Sequence, residues 1–538
     1  MPKPIYTNVL LFVSGALAIF VYLLSEYKIT NGELGFPLDD SWIYANFAKN
    51  FAMGHGYSYN PGEPVAGSTG PLWMLLLALS YKILLAPIFW GFLWGIIFYF
   101  MIIYLAYKIS ETLTGNKSIA LVCSLLLGFS GFLVWGTLSG MEINLLILLT
   151  LAGFYFLLGS TEKQSRTEFL ASVLWGISTG VRPESYLLIL FIWAFLIYRA
   201  KTKGIGNLRY FLFHTALFFF FALPFWLLNY FTWGRIFPTT FYAKSGIHNM
   251  LLLLKKGRWQ GIIEVFFANP IKFSLAYIFG SLIKAPFTIF VLLLPFAKLK
   301  KKEFLWLTIV LLIIFVYIIG IVEPHLLKFS NITGQGFISK IKLFLARLFP
   351  YRVTDRYYAN LFFLTQMLGL IALLSIISNH KQLQMVCILF LSIVTGLLYY
   401  TNGKYLGIAV KNINDMQVKI GKWLNEEISP NATIMANDIG AIKFFSPQYM
   451  YDLVGITNPE VLEYIEKDGY EKGIMKFIAL KKPDYLIIFN KWYPFIQERL
   501  DLFKLVREFS IDQNVICGDS IMSVYRSEIK MKRGEEDE

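Results

Sequence analysis

The sequence is poor in charged residues. Only 16% of its 538 residues are Asp, Glu, Lys or Arg, whereas soluble proteins carry about a quarter. Hydrophobic residues make up 56% of the chain and aromatic residues 17%. This balance excludes a cytosolic enzyme, a coiled coil and a disordered chain. It indicates a protein that crosses a membrane several times and has membrane lipids among its partners.

Cysteine is also scarce. Cys123, Cys387 and Cys517 are far apart and lack the spacing of a zinc site or a disulfide framework. The net charge of +14 comes from Lys and Arg in short loops between apolar runs. Membrane topology explains this pattern better than nucleic-acid binding does, so no nucleic-acid partner is expected.

Apolar runs long enough to cross a bilayer recur as far as residue 400. They lie at about 8–24, 90–108, 119–137, 143–159, 169–198, 210–229, 274–297, 303–321, 357–376 and 384–400. The run 169–198 is broken at Val181-Arg182-Pro183-Glu184, which predicts two short helices that meet at a kink. The pattern predicts about eleven transmembrane helices. The shorter run 71–86 is expected to re-enter the membrane or lie in its interface.

The basic loops predict the orientation in a plasma membrane. With the N-terminus inside, the loops at 108–117, 162–166, 199–209 and 298–302 lie in the cytoplasm. The stretches 25–70, 139–142, 230–258, 322–355 and 404–538 then lie outside. If 71–86 crossed the membrane, the basic loops that follow it would lie outside the cell, against the usual excess of Lys and Arg in the cytoplasm. This favours the re-entrant alternative.

The composition changes after residue 403. Residues 404–538 mix polar and apolar residues, with strand-like runs at Thr433–Ala436, Tyr485–Phe489 and Ser520–Tyr525. A helical apolar pattern spans Val410–Ile428. We therefore predict a transmembrane domain, 1–403, followed by an extracytoplasmic α/β domain, 404–538, of about 135 residues.

The first outer loop, residues 25–70, contains two adjacent acids. Asp39 and Asp40 mark a helix start, because carboxylates there accept the first N–H groups and oppose the helix dipole. At helical spacing Asp40 shares one stripe with Tyr44, Phe47 and Phe51. This predicts a juxtamembrane amphipathic helix on the outer membrane face. On spacing alone, capping and chemistry are equally good interpretations of the two acids.

A glycine- and proline-rich stretch follows this helix. It includes Gly54-His55-Gly56-Tyr57, Asn60-Pro61-Gly62-Glu63-Pro64-Val65 and Gly67-Ser68-Thr69-Gly70-Pro71-Leu72-Trp73. The stretch predicts a succession of turns, and it lacks the lysine and Ser/Thr ending of a phosphate-binding loop. His55, between two glycines, suits a loop hydrogen bond better than metal ligation.

The order of these motifs resembles the first outer loop of GT-C glycosyltransferases, polytopic enzymes that use a polyprenyl-phosphate sugar. Later motifs match in the same order: Ser139-Gly140-Met141-Glu142, Arg182-Pro183-Glu184, Pro238-Thr239-Thr240-Phe241-Tyr242-Ala243-Lys244, Arg356-Tyr357-Tyr358 and Asn437-Asp438-Ile439-Gly440-Ala441-Ile442. The chain is similar to mycobacterial terminal arabinofuranosyltransferases. It is more distantly similar to protein O-mannosyltransferases and to lipid A aminoarabinose transferase.

The resemblance implies inverting transfer of a pentose or hexose from a polyprenyl monophosphate. The acceptor is a hydroxyl of an extracytoplasmic glycan, lipid or protein. In that family a carboxylate at the start of the first outer loop is the catalytic base, which corresponds to Asp39 or Asp40. Alignment with the acidic pair of the mannosyltransferases favours Asp39, and the aromatic stripe favours Asp40. We prefer Asp39 and keep both. One carboxylate suffices because phosphate is a good leaving group that needs no general acid. A glycosidase, in contrast, needs a second carboxylate to protonate its leaving group.

Four later side chains are candidates for the donor phosphate: Arg182, Tyr242, Lys244 and Arg356. Arg grips phosphate with two parallel hydrogen bonds, whereas Lys acts as a point charge. Arg182 and Glu184 interrupt an apolar run, where a charge costs about 2.5–3.5 kcal/mol or more. They therefore either line a cavity or form a structural ion pair between the two half-helices.

Glu142, Glu184 and His55 are expected to orient the substrates. A plain helix cap is an equally good interpretation of Glu142, which lies in a turn between two spans. Asp438 follows a predicted strand and is expected to cap a turn or to contact the acceptor. No cofactor is predicted to be required, since no clear ligand spacing is present, and a divalent metal stays open.

The alternative function is a membrane transporter or a flippase of a lipid-linked sugar. Transporters often contain repeated halves with matching broken helices. This sequence has one broken helix and no repeat, and its long outer loop fits a transporter poorly. A membrane scaffold, the third alternative, would tolerate the loss of all these charges.

Overall fold

The computed structural model describes residues 4–159, 167–203, 208–244, 286–300 and 359–529, together with Arg356 and isolated positions between 263 and 318. Within these residues, six helices are long and apolar enough to cross a membrane. They are Ile5–Ile29, Pro87–Thr114, Pro183–Lys201, Leu208–Trp233, Ala359–Asn379 and Lys381–Glu427. Lys117–Gly128 and Gly131–Leu138 meet at 54° and add a seventh if they form one broken span.

The helices before residue 245 follow the predicted runs closely. They are α1 (Pro4–Ile29), α2 (Asp39–Ala52), α3 (Pro71–Tyr81), α4 (Pro87–Thr114), α5 (Lys117–Gly128), α6 (Gly131–Leu138), α7 (Ile143–Gly159), α8 (Thr167–Ser178), a 3₁₀ helix (Pro183–Leu188), α9 (Ile189–Lys203), α10 (Leu208–Trp233) and α11 (Thr239–Lys244). A 3₁₀ helix (Pro286–Phe296), α12 (Ala359–Ile376) and a 3₁₀ turn (Ile377–Asn379) follow.

The prediction of about eleven spans is matched in part. The expected loop 162–166, the outer stretch 322–355, residues 275–285 of the run 274–297 and most of the run 303–321 lie outside the described residues. Helix α3 has 11 residues, well short of the roughly 20 that a crossing needs. Its length is compatible with the re-entrant alternative for 71–86.

The predicted break in the run 169–198 is confirmed. Helix α8 ends at Ser178, and the 3₁₀ helix begins only at Pro183. Proline has no N–H to donate and disfavours a helical residue before it, which explains the extended backbone of Arg182. The start of α3 docks on this break, because Leu72 N–H donates to the Gly180 carbonyl over 2.8 Å.

Two glycines allow the outer loop to approach the membrane helices. Phe36 packs against Gly91 and Gly140, where an added Cβ would lie 2.8 Å and 2.5 Å from its ring. Gly140 has a φ of +69°, a left-handed conformation that glycine adopts without strain. Two residues later in the same tight turn, Glu142 faces the protein interior and is fully buried.

Helix α2 begins at Asp39, as predicted, but it is not a surface helix. Nine of its 14 residues are buried, because α3 packs on one side and the C-terminal domain on another. The ring of Trp42 lies 5.0 Å and 4.9 Å from those of Phe444 and Phe445. The expectation that the helix exposes a polar face is therefore wrong, because protein covers both of its faces. Its position relative to the membrane stays a prediction.

One helix connects the membrane region to the C-terminal region. Helix α13 (Lys381–Ile413), a π-helical turn (Asn414–Val418) and α14 (Lys419–Glu427) form a continuous 47-residue helix. The domain boundary expected at residues 403/404 falls inside it. Gly403 and Gly407 pack closely against Tyr22 and Ile29 of α1, which explains why the helix continues where the sequence turns polar.

The C-terminal region contains a five-stranded sheet, which confirms the predicted small α/β domain. The strands are β1 (Thr433–Ala436), β2 (Tyr449–Asp452), β3 (Tyr485–Ile488), β4 (Phe503–Ser510) and β5 (Ile521–Ser527), in the order β2-β1-β3-β5-β4. Its helices are α15 (Ala441–Phe444), α16 (Glu460–Asp468), α17 (Tyr470–Lys481) and α18 (Pro494–Gln497). β1 is parallel to β2 and β3, and β5 is antiparallel to β3 and β4. β2 and β4 were not predicted.

Candidate active site

A cavity lies where α2, the break after α8 and the C-terminal sheet meet. Its volume, including the part open to solvent, is about 1030 Å³. Four charged side chains line it: Asp40, Arg182, Glu184 and Arg356. The remaining wall is aromatic, aliphatic or small and polar, and includes Tyr44, Ser68, Thr69, Tyr186, Phe237, Thr240, Phe241 and Ile456. Such a lining suits a ligand with a charged head, hydroxyl groups and an apolar part.

Asp40 is the carboxylate of α2 that faces this cavity. Its Oδ2 lies 2.8 Å from Nη1 of Arg356, and about a third of its side chain is exposed. Arg356 itself is buried. The extended N-cap residue of α2, Leu38, has no side chain that can cap, so the two acids supply the negative charge of the first turn. Asp40 and Arg356 form a charge pair at the cavity wall.

Asp39 points away from the cavity toward the C-terminal sheet. Its two carboxylate oxygens accept hydrogen bonds from the backbone N–H groups of Gly440 and Ala441, at 2.7 Å and 2.8 Å. Burial and the charge of Asp438 raise the pKa of Asp39, while the two N–H groups oppose this shift. The structure thus separates the two predicted acids. Asp40 lines the cavity, and Asp39 binds the start of α15.

Arg182 bridges the buried carboxylate of Glu142 and the partly buried carboxylate of Glu184. Its Nη1 donates to Glu142 Oε1 over 2.7 Å, and Nη2 and Nε donate to the two oxygens of Glu184 over 2.8 Å and 3.2 Å. The side chains of Arg182 and Glu142 are 3% and 0% exposed. Both sequence-based alternatives therefore hold, since Arg182 and Glu184 line the cavity and also form an ion pair. Removal of Arg182 would leave the buried charge of Glu142 uncompensated, which would destabilise the fold.

Tyr44 lies one turn after Asp40 on the same helix face and also lines the cavity. Burial and the nearby charge of Glu142 raise its pKa well above 10. Its hydroxyl therefore stays protonated near neutral pH. Tyr44 was placed on the aromatic stripe from the sequence but was given no role in the site.

The other predicted site residues differ in position. The ring of Tyr242 packs against the guanidinium of Arg235, 4.9 Å from the ring centre, and against Trp233. Its neighbours Thr240 and Phe241 line the cavity instead. Lys244 ends α11, but its side chain lies outside the described residues.

His55 is not brought to the cavity. It is exposed on a turn after α2, where its carbonyl accepts a hydrogen bond from Ser58 over 2.9 Å. The glycines on either side both have positive φ, which accounts for the turn. His55 is exposed and does not line the cavity, so this geometry gives no support to a role in orienting a substrate, which stays a prediction.

The C-terminal domain supplies one wall of the cavity. Ile456, in the loop after β2, contributes to the lining. Nothing in the local sequence identified this residue, because its role depends on how the sheet docks on α2. Tyr59 reinforces the docking through a 2.6 Å hydrogen bond to the Ile439 carbonyl. The Asn60 amide pairs with both the N–H and the carbonyl of Met450 on the edge strand.

Asp438 lies behind Asp39 and does not line the cavity. Its carboxylate accepts hydrogen bonds from Gln417, at 2.7 Å, and from Asn437, at 3.2 Å. Burial raises its pKa to about 6. The turn role expected from the sequence matches this position better than a contact with an acceptor. Among the described residues, no group of three or more His, Cys, Asp or Glu side chains is arranged to hold a metal ion.

Comparison with known proteins gives a match for the C-terminal part of the chain and for the overall fold. A domain of unknown function, DUF8728, matches residues 411–525. No curated protein matches the sequence significantly.

Two solved membrane proteins share the fold. The first is ArnT from Cupriavidus metallidurans bound to undecaprenyl phosphate, with a TM-score of 0.52 and 10% identity over 95% of this chain and 97% of that one. The second is the Archaeoglobus fulgidus oligosaccharyltransferase in complex with zinc and sulfate, with a TM-score of 0.52 and 13% identity over 88% of this chain and 67% of that one. These matches confirm the GT-C type of fold that the motifs predicted. The number of spans stays a prediction.

Proposed function

We propose that this protein transfers a sugar from a polyprenyl monophosphate to a hydroxyl group of an extracytoplasmic acceptor, with inversion at the anomeric carbon. The observation that carries the proposal is the pair formed by Asp40 and Arg356 at the wall of a large cavity, 2.8 Å apart. A base beside a phosphate-binding cation is what this reaction requires. The shared fold with ArnT, a structure bound to undecaprenyl phosphate, supports the choice of donor.

Asp40 acts as the general base in this proposal. Its carboxylate takes the proton of the acceptor hydroxyl while that oxygen forms a bond to the anomeric carbon. The bond from this carbon to the phosphate oxygen breaks, and its electron pair leaves with the polyprenyl phosphate. Base assistance of this kind contributes about 10²–10⁴ in rate. The preference for Asp39 is abandoned, because the carboxylate of that residue is engaged by backbone N–H groups.

Arg356 binds the donor phosphate in this proposal. A guanidinium offers more than one N–H, so it can hold a phosphate oxygen and Asp40 together or exchange one for the other. When the phosphate competes for Arg356, the Asp40 carboxylate becomes available to an acceptor hydroxyl. Donor binding therefore prepares the base.

The charge balance of the site leaves room for another cation. Three acidic side chains, Asp40, Glu142 and Glu184, pair with two basic ones, Arg182 and Arg356, so the described ion pairs carry one net negative charge. A phosphate diester adds a further negative charge. We retain Lys244 for this role, since it ends the short helix that carries Thr240. A divalent metal is the alternative source of positive charge.

Arg182 has a positioning role in this proposal. Its guanidinium is already held by Glu142 and Glu184, so it orients these carboxylates rather than gripping phosphate. Glu184 lines the cavity and is suited to accept a hydrogen bond from a sugar or acceptor hydroxyl. Tyr242, with its ring stacked on Arg235, has no part in the proposed phosphate site.

The proposal is tested with the purified full-length chain in lipid nanodiscs. The donors are a pentosyl and a hexosyl undecaprenyl phosphate, with water or an added alkyl glycoside as acceptor. Release of undecaprenyl phosphate reports turnover. Asp40→Asn should lower turnover by about 10²–10⁴, because the base is lost. The same variant should bind undecaprenyl phosphate at least as tightly as wild type, because the Asp40 carboxylate no longer competes with the phosphate for Arg356.

The matched controls are Asp39→Asn, on the same helical turn, and Asp512→Asn, which is exposed on the C-terminal domain. Asp512→Asn should behave as wild type, and Asp39→Asn should keep measurable turnover. Full turnover in Asp40→Asn would overturn the mechanism. A wild-type chain that neither binds undecaprenyl phosphate nor consumes either donor would overturn the function.

A further inference from the structure

We propose that the loop after β2, residues 453–458, forms the wall against which the transferred sugar packs, and that Ile456 sets the size of sugar accepted. The inference rests on the proposed function and names a specificity determinant for it. Among the described residues of the C-terminal domain, Ile456 lines the cavity that Asp40 and Arg356 also line. The residue is only 7% exposed, so it is packed into the wall of the cavity.

The segments next to this loop are rich in hydroxyl groups. Ser68, Thr69 and Thr240 line the same cavity, and the hydroxyls of Thr69 and Thr240 lie 3.2 Å apart. Hydroxyl side chains both donate and accept hydrogen bonds, which suits a polyhydroxylated ligand. An apolar side chain beside them limits the space for the ligand without adding a polar contact. This combination suits a subsite for the sugar ring rather than for the lipid.

The loop is fixed to the cavity by Thr239. The Thr239 hydroxyl contacts both the Ile456 carbonyl and the Ala66 carbonyl, and Thr239 N–H donates to Ala66 over 3.0 Å. Gly67 leaves no space between these segments, because an added Cβ would lie 3.1 Å from both the Ile456 carbonyl and Thr457. The loop 453–458 and the segment that carries Ser68 and Thr69 therefore form one wall.

Asp452 is the positioning residue for Ile456. It ends β2, is fully buried, and its carboxylate accepts hydrogen bonds from the N–H groups of Val454, Ile456 and Thr457. Gly455 adopts a φ of +88° at the tip of this turn, a conformation that favours glycine. This carboxylate thus holds the loop backbone at three residues, and thereby fixes the position of Ile456.

The test compares turnover of the pentosyl and hexosyl undecaprenyl phosphates by full-length variants in nanodiscs. One methylene more or less in a pocket changes discrimination by roughly 10–200-fold. Ile456→Ala should therefore raise the ratio of hexosyl to pentosyl kcat/KM by about tenfold. Ile456→Phe should lower that ratio. Binding of undecaprenyl phosphate, which has no sugar, should change little in either variant.

Asp452→Asn should shift the same ratio toward that of Ile456→Ala, because an amide cannot accept all of the loop N–H groups. The matched control is Asp484→Asn, which changes a half-buried carboxylate that also accepts a backbone N–H, from Thr433, before β3. It lies at the other end of the parallel strands and should leave the ratio unchanged. If the wild type transfers sugar and both Ile456 variants keep its ratio of hexosyl to pentosyl kcat/KM, this inference alone is overturned. Absence of transfer by the wild type would overturn the proposed function.

Discussion

The Asp39 carboxylate joins the membrane region to the C-terminal sheet, and its replacement should loosen that contact. Asp39→Asn preserves the shape of the side chain but converts one oxygen into an NH₂ group. The wild-type oxygens accept one N–H each, from Gly440 and Ala441. The variant keeps one of these hydrogen bonds and directs a donor at the other N–H. We therefore expect the start of α15 to open more often.

The magnitude follows from two opposing effects. Hydrogen bonds to a charged acceptor contribute about 1.5–3 kcal/mol each. Against this, burial and the charge of Asp438 disfavour the ionised form of Asp39, as its raised pKa indicates, and asparagine removes that cost. We expect a net loosening of about 1–2 kcal/mol. This corresponds to a 5- to 30-fold increase in the population of the open form.

Hydrogen–deuterium exchange of the segment 439–444 measures this opening directly, because the Gly440 and Ala441 amides are themselves the donors. Asp39→Asn should accelerate their exchange about tenfold. Asp40→Asn, which alters the adjacent residue but faces the cavity, should leave it unchanged. If both variants exchanged at the wild-type rate, or if Asp40→Asn had the larger effect, the assignment of the two acids would be refuted.

A steric change from the other side of the contact should have the same effect. A Cβ at Gly440 would lie 1.9 Å from the Asp39 carbonyl oxygen, so Gly440→Ala cannot keep the present backbone separation. Gly396→Ala is the matched control, because an added Cβ there meets nothing within 4 Å. Faster exchange at 439–444 in the first variant and not in the second supports the contact.

Two further outcomes follow from buried charges. Burial raises the pKa of Asp438 to about 6 from 3.8, so the folded protein binds a proton here more tightly than the unfolded chain does. The resulting contribution to the free energy of unfolding is fully present below about pH 4 and is lost as the pH rises through 6. This should raise the stability of wild type at pH 5 relative to pH 7 by roughly 1 kcal/mol, measured as Tm, and Asp438→Asn should lack this increment. Arg182→Met leaves Glu142 and Glu184 without their shared cation and should cost about 3–5 kcal/mol, a larger loss of Tm than Glu142→Gln.

The controls for these two outcomes are internal to the chain. Asp512→Asn should keep the wild-type response to pH, because the residue is exposed. A pH response of Asp438→Asn equal to that of wild type would contradict the assignment to this group. Equal Tm values for Arg182→Met and Glu142→Gln would contradict the bridging arrangement.

Features set by local composition were predictable from the sequence. The membrane class follows from long apolar runs, and the break at Pro183 follows from the backbone limits of proline. Strands β1, β3 and β5 were found because most of their buried residues are apolar. β4 was missed because it is an edge strand whose burial pattern is almost entirely exposed, so it shows no hydrophobic alternation.

Features set by distant contacts were not predictable. The helix that runs through residue 403 continues because α1 packs along it. There, the Tyr22 hydroxyl donates to the Tyr399 carbonyl over 3.0 Å, a contact between residues far apart in the chain. Likewise, Ile456 gained a place in the cavity only through the docking of the sheet. The sequence around residue 403 and around Ile456 mixes polar and apolar residues without a motif, so neither contact could be predicted locally.

The choice between Asp39 and Asp40 combines both cases. The sequence placed the two acids on one helical turn, where their side chains diverge by about 100°. Which of them faces the cavity depends on a sheet that follows about 400 residues later, as the Gly440 contact illustrates. The same turn of α2 thus presents one carboxylate to the C-terminal domain and the next to the cavity. Any rotation of α2 that weakened the first contact would also move the second carboxylate relative to Arg356. The C-terminal domain is for this reason part of the geometry of the proposed base, and not only a cover over the cavity.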